Sequence, residues 1–207
     1  MKLTSITLAP LALVCSGAAA DIPNIHGTPM EHVNITFDGG SIGVELDNPG
    51  AEVEMRRFPG ESYDGDASVL NGSYYSDQFG WLADGFISLG AGESIWIERT
   101  ASSSGLDVYE GGMRMMRANH SYDPILGTDG SSDIWRWDGT MTHNWYAADA
   151  PGAYEATYEV FVGDAQGNAF AQYESDTITL SLNAVPAPGS LAVLALGTIG
   201  AARRRRS

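Results

Sequence analysis

A beat of two runs through this chain and limits what it can fold into. Between residues 154 and 162, Tyr154, Ala156, Tyr158, Val160 and Val162 fall on one side, with Glu155, Thr157 and Glu159 on the other. A strand with one dry and one wet face requires that period, and a helix cannot use it. The pattern recurs in Val33, Ile35 and Phe37, and after the turn at Asp38, Gly39 and Gly40 in Ile42, Val44 and Leu46. Val53 and Met55 oppose Glu52 and Glu54, and Ile178, Leu180 and Leu182 oppose Thr177, Thr179 and Ser181. Shorter strand candidates lie at 86–89, 94–99, 106–110 and 113–117, separated by Gly and Ser turns. Residues 59–85 read as a long loop with at most one short strand. Residues 122–145 read as a loop-rich segment in which Trp135, Trp137 and Trp145 supply bulk. Helical spacing is nowhere sustained between residues 21 and 184. The expectation is an all-β domain, an antiparallel β-sandwich of jelly-roll or Ig-like type.

The two ends are of another kind. Lys2, an apolar run over 3–14 and the small residues Ala18, Ala19 and Ala20 before Asp21 have the layout of a secretory signal peptide. Cleavage is expected between Ala20 and Asp21. Cys15, the single cysteine, leaves with the peptide, so the mature chain has no disulfide or thiolate chemistry. At the other end, Pro186, Ala187 and Pro188 stop the last strand, an apolar run spans 191–202, and Arg203, Arg204, Arg205 and Arg206 follow. The apolar run is short of the roughly 20 residues that cross a bilayer comfortably, and the arginines hold its end on the cytoplasmic side. Proline motif, apolar segment and arginine cluster together resemble the PEP-CTERM sorting signal of exosortase substrates in Gram-negative bacteria. Ala187 stands where that motif has its name-giving Glu. The resemblance implies an exosortase-type processing enzyme as partner and a C-terminal hydrophobic sorting helix at 185–207 that meets the membrane only before processing. It also implies delivery to the cell surface, outer membrane or extracellular matrix.

What remains, residues 21–184, suits one domain. All 26 acidic residues fall in it against six arginines and no lysine, a net charge of about −20. Nucleic acid and anionic lipid are excluded as partners by that field, and cations are favoured.

The opening residues 31–46 and the stretch 141–168 resemble a family of exported bacterial domains grouped as choice-of-anchor M, or surface-anchored metal-associated, proteins. The residues that carry the likeness are His32, His143, Asn144, Trp145, Pro151, Gly152 and Tyr154. The chain departs from the pattern at Glu31 and Asn34, where Gly and Asp are expected, and at Met141, where a further His is expected. The resemblance implies metal association. His32 and His143, with His120, are the candidate ligands, and zinc is the metal expected, since imidazole with nearby carboxylate suits it. No histidine pair has close ligand spacing, so the fold must bring them together. His26 is the fourth histidine of the mature chain.

Asp64, Gly65 and Asp66, and the run from Asp129 to Asp133, are oxygen-rich loops that calcium, the second metal considered, accepts. Neither matches an EF-hand loop, and Asp-Gly is foremost a turn pair. Gly39, Ser41 and Gly43 spell G-x-S-x-G, but a strand follows instead of the helix a hydrolase needs. No HExxH, P-loop, GxGxxG or CxxC occurs. Trp81, Trp96, Trp135, Trp137 and Trp145, with Tyr74, Tyr75 and Tyr146, supply either a core or a sugar-stacking platform. The leading expectation is therefore an exported surface or matrix protein that binds zinc rather than an enzyme. A carbohydrate-binding module for exopolysaccharide is the alternative, and a secreted hydrolase ranks third.

Overall fold

Among the described residues eleven strands follow one another: β1 (Glu31–Phe37), β2 (Ile42–Leu46), β3 (Glu52–Arg56), β4 (Tyr74–Ser76), β5 (Phe79–Ala83), β6 (Ser94–Ser102), β7 (Leu106–Gly112), β8 (Ile134–Trp137), β9 (Thr142–Ala148), β10 (Gly152–Gly163) and β11 (Asp176–Val185). The computed structural model describes residues 22–24 and 29–186. Ala20 and the rest of the expected signal peptide lie outside the described residues, as do Asp21, His26, Ala187, Pro188 and the arginines from Arg203 to Arg206. Pro186, the last described residue, follows β11 directly, where an imino acid without an N–H ends the ladder. Among the described residues no helix is long and apolar enough to cross a membrane.

The all-β expectation holds. The strands form one mixed sheet in the order β2-β1-β5-β9-β4-β3-β11-β10-β6-β8, with β7 on the other edge of β9. Two pairs, β1 with β5 and β11 with β3, run parallel, so the sheet is not purely antiparallel. The predicted alternation of β10 and β11 is matched in register: Tyr154 faces Leu182, Ala156 faces Leu180 and Tyr158 faces Ile178. Ala156, Tyr158, Val160, Val162, Leu180 and Leu182 are buried, and Thr177 and Thr179 are exposed. Val33, Ile35, Trp81 and Tyr146 join them in one core. The Trp81 and Tyr158 rings meet edge to face, centroids 5.5 Å apart, although β5 and β10 are far apart in the strand order. The sheet therefore curls until its distant strands enclose a common apolar interior.

Four segments differ from the sequence expectation. Within 59–85 lie a 3-10 helix (Gly65–Leu70) and two strands, β4 and β5. Residues 86–89 are not a strand, because glycines at 85 and 90 bracket them and Phe86 stands 88% exposed with nothing to pair against. Residues 113–117 enter a kinked 3-10 segment, Arg114–Asn119, and Met113 at its N-cap and Met115 within it both face solvent. The loop-rich reading of 122–145 misses β8 and the start of β9. Every residue of β9 is buried, so it shows no alternation.

β9 also separates two apolar clusters. Tyr146 and Ala148 face the main core, whereas Trp145 and Ala147 face a smaller one with Tyr63, Ala67, Leu70, Tyr75, Tyr109 and Tyr122. The 3-10 helix Gly65–Leu70 covers this second face through Ala67 and Leu70.

Candidate metal centre

β9 is pinned on both edges, and both neighbours are irregular at the same level. On one edge Ser76 pairs with Tyr146 and Gly80 with His143, so Asp77, Gln78 and Phe79 stand opposite only Asn144 and Trp145. On the other edge Tyr109 pairs with Trp145 and Gly112 with His143, so Glu110 and Gly111 stand opposite Asn144 alone. Each neighbour thus carries one residue too many, a bulge that turns backbone groups out of the ladder. The freed groups meet β9 side chains. The Asp77 carbonyl accepts from His143 Nδ1 at 2.7 Å, and the Gly111 N–H donates to Asn144 Oδ1 at 3.1 Å. Gly111 has no alternative here, since a Cβ on it would fall 1.6 Å from the His143 carbonyl oxygen.

The strand register brings the two expected ligands together. His32 of β1 pairs with Gly80 of β5, and Gly80 pairs with His143 of β9. All three lie on one sheet face, and the two imidazoles meet across the bare glycine with ring centroids 6.2 Å apart and planes at 72°. A Cβ at Gly80 would stand 2.6 Å from both Cε1 and Nε2 of His143, so glycine makes the room for that ring. His32 donates through Nδ1 to Asp47 Oδ2 at 2.7 Å, and Asn34 donates to the other oxygen of the same carboxylate, also at 2.7 Å. The hydrogen bonds from Asn34 and His32 hold the Asp47 carboxyl below its usual range.

Both histidines therefore spend Nδ1 on an oxygen that can only accept, which leaves Nε2 as the lone-pair nitrogen of the neutral ring. Both Nε2 atoms are buried, and neither has a hydrogen-bond partner. Metal-binding imidazoles are commonly oriented in this way, with the far nitrogen donating to a carboxylate or carbonyl. Burial lowers the pKa of His143 to about 4, with the nearby Arg114 and the other two histidines acting in the same direction, so its ring is neutral over the physiological range.

Around the pair stand Asp77 and Arg114. The Asp77 carboxyl is almost wholly buried; burial raises its pKa, while Arg114 and Arg117 pull it back. Arg114 Nε lies 3.7 Å from Asp77 Oδ2. His120 is nearby but fully engaged. Its Nδ1 accepts from Trp145 Nε1 at 2.9 Å and its Nε2 donates to the Met113 carbonyl at 3.2 Å, so it has no lone pair left to join the pair. Among the described residues no group of three or more His, Cys, Asp or Glu is placed to hold an ion, and the calcium-type loops at Asp64 to Asp66 and Asp129 to Asp133 form none. The sequence singled out His32 and His143, but not Asp47, Asp77 or Gly80. A lone glycine inside the apolar run Phe79 to Leu82 was the available signal, because such a glycine marks a close approach.

The other candidates are placed as follows. Ser41 N and Oγ both bond to Asp38 in the β1–β2 turn. Trp81, Trp137, Trp145, Tyr74, Tyr75 and Tyr146 are buried, and only Trp96 and Trp135 are part-exposed, so these aromatics do not form a stacking platform. A separate groove of about 660 Å³ runs beside Phe86, lined also by Glu93, Arg136, Trp137 and Asp138. The chain matches no known family model, and no curated protein matches it.

Proposed function

We propose that this chain is an exported, non-enzymatic β-sandwich domain, directed to the cell surface or matrix of a Gram-negative bacterium, that holds a transition-metal ion between His32 and His143. The observation that carries the metal reading is the pair of buried, partnerless Nε2 atoms on two rings whose centroids lie 6.2 Å apart, each ring oriented through its Nδ1. A buried polar atom without a partner costs about 1–3 kcal/mol, and two side by side on one face call for a shared ligand. The resemblance implies metal association, zinc is the metal that imidazole with nearby carboxylate suggests, and imidazole nitrogen suits zinc and copper alike. The sandwich reading is supported by the contact of Trp81 with Tyr158 and by the single core gathered from distant strands. The export and exosortase readings rest on the two terminal segments.

Metal content separates this reading from its rivals. The protein equilibrated with zinc and copper salts and then freed of excess should retain metal, and its thermal midpoint should rise, because a ligand that binds only the folded state adds RT ln(1 + [L]/Kd). His143→Leu should remove both effects. Unchanged midpoints with every transition metal would end the metal reading.

The alternative reading, exopolysaccharide binding, is favoured by one feature. Phe86 projects beside a groove whose rim carries Glu93, Arg136 and Asp138, a combination of apolar face and polar edge that suits a sugar ring. Calorimetry with host exopolysaccharide and a Phe86→Ala control tests it.

A further inference from the structure

The geometry points to monovalent copper as the ion of the His32–His143 pair. The inference rests on the metal reading of that pair and narrows it by coordination number, charge and softness.

Coordination number comes first. Zinc takes four ligands in structural sites and at least three from protein in catalytic ones, whereas calcium takes six to eight oxygens. Here two nitrogens are offered, His120 has none left, and no third His, Cys, Asp or Glu among the described residues completes a group. His143 is fully buried, which leaves little room for the waters that would fill the coordination shell of a divalent ion. Cu(I), a d10 ion of low charge, is satisfied by two imidazole nitrogens alone, and it is the first-row ion that tolerates so sparse a shell.

Charge points the same way. Arg114 Nε sits 3.7 Å from the Asp77 carboxylate and is set against it, which leaves Asp47, bonded to His32 Nδ1, as the carboxylate beside the pair. That one negative charge matches a monovalent ion, whereas a divalent ion would leave an uncompensated charge in a buried site.

Softness is the third argument. Gly112, the register partner of His143, leads directly into Met113, Met115 and Met116, which are 52%, 92% and 49% exposed. Arg114 of the same segment reaches Asp77, whose carbonyl holds His143. Three solvent-facing thioethers on the segment that follows the register partner of His143 make an unusual surface, since methionine is ordinarily buried. Thioether sulfur prefers Cu(I) to zinc or calcium.

The test is an anaerobic competition in which the full-length protein withdraws Cu(I) from its coloured bicinchoninate complex at neutral pH, with X-ray absorption on the loaded sample. The expected result is one copper per chain, an edge feature of two-coordinate Cu(I), and at least tenfold weaker binding in His32→Leu and in His143→Leu. Gly80→Ala keeps both imidazoles but pushes the His143 ring aside, and it should weaken copper in the same way; it serves if His143→Leu fails to fold. A pair that takes zinc in preference to Cu(I), with the same dependence on His143, overturns the copper assignment and leaves the metal reading intact. Binding of neither ion at the pair overturns both. Copper that stays tightly bound in His32→Leu and Gly80→Ala also overturns the assignment.

Discussion

Two ends of one sheet face, both centred on β9, treat their polar atoms in opposite ways. At the Trp145 end they are matched. Trp145 donates to His120, His120 donates to the Met113 carbonyl, and the Tyr63 and Tyr75 hydroxyls bond to each other inside a ring-on-ring cluster. At the His143 end, one bulge away, Nε2 of His32 and Nε2 of His143 are buried without a hydrogen-bond partner. The two Nε2 atoms are themselves buried although the His32 side chain is part-exposed, so access to solvent does not supply their missing partners. The Trp145 end satisfies its polar atoms, whereas the His143 end leaves two nitrogen lone pairs open at a cost in stability, the compromise that the proposed metal site would require.

Substitutions should separate the two ends by size of effect. Trp145→Ala opens a cavity in the second cluster and strands His120, and it should cost about 3–5 kcal/mol in urea melts. A loss under 1 kcal/mol would mean that the Trp145 end is not the stabilising one. Next comes acid. The folded pKa of His143, about 4, lies below the unfolded value near 6.5, so the unfolded chain binds the proton first as pH falls. Its contribution is complete above pH 6.5 and declines toward pH 4, by about 3 kcal/mol at most. His120, lowered by burial, adds the same sign. The metal-free protein should therefore lose urea midpoint across that window, and the slope should flatten in His143→Leu; an equal slope in both would remove His143 from the account.

Smaller effects follow. Gly80→Ala should cost about 1–3 kcal/mol by overpacking against the His143 ring, and amide or imidazole NMR shifts should be confined to β1, β5 and β9. His32→Leu should change metal-free stability by about 1 kcal/mol or less, since the lost bond to Asp47 is offset by removal of a buried orphan nitrogen. If His32→Leu proved as costly as Trp145→Ala, the contrast between the two ends would be gone.

The same contrast sets what could be read from the sequence. β10 and β11 were legible because each has one buried face and one wet one, and Tyr154, Ala156 and Tyr158 pair with Leu182, Leu180 and Ile178 as the alternation requires. β9 was not, because Thr142 to Ala148 is covered on both faces and both edges, which erases the period. β4 was hidden in the same way, with Tyr74, Tyr75 and Ser76 all buried. The alternation of Met113 and Met115 imitated a strand although both residues face water. His32 and His143 could be named from the sequence, but their meeting depends on two strand registers through Gly80, a long-range property that no local spacing encodes. Asp77 reaches the site by its backbone carbonyl, so the aspartate side chain carries no signal of that role.

The position of β9 also fixes an order of events. Its neighbours β4, β5 and β7 all precede it in the chain, so a polypeptide made or exported from its N-terminus presents two waiting ladder edges before the residues beyond 141 arrive to fill the gap. Until then those edges can pair with other chains, and closure over such sequence distances is intrinsically slow. Insertion of β9 ends that exposure and delivers His143 beside His32 in one step. An ion held by both would therefore be captured only by chains that have finished folding.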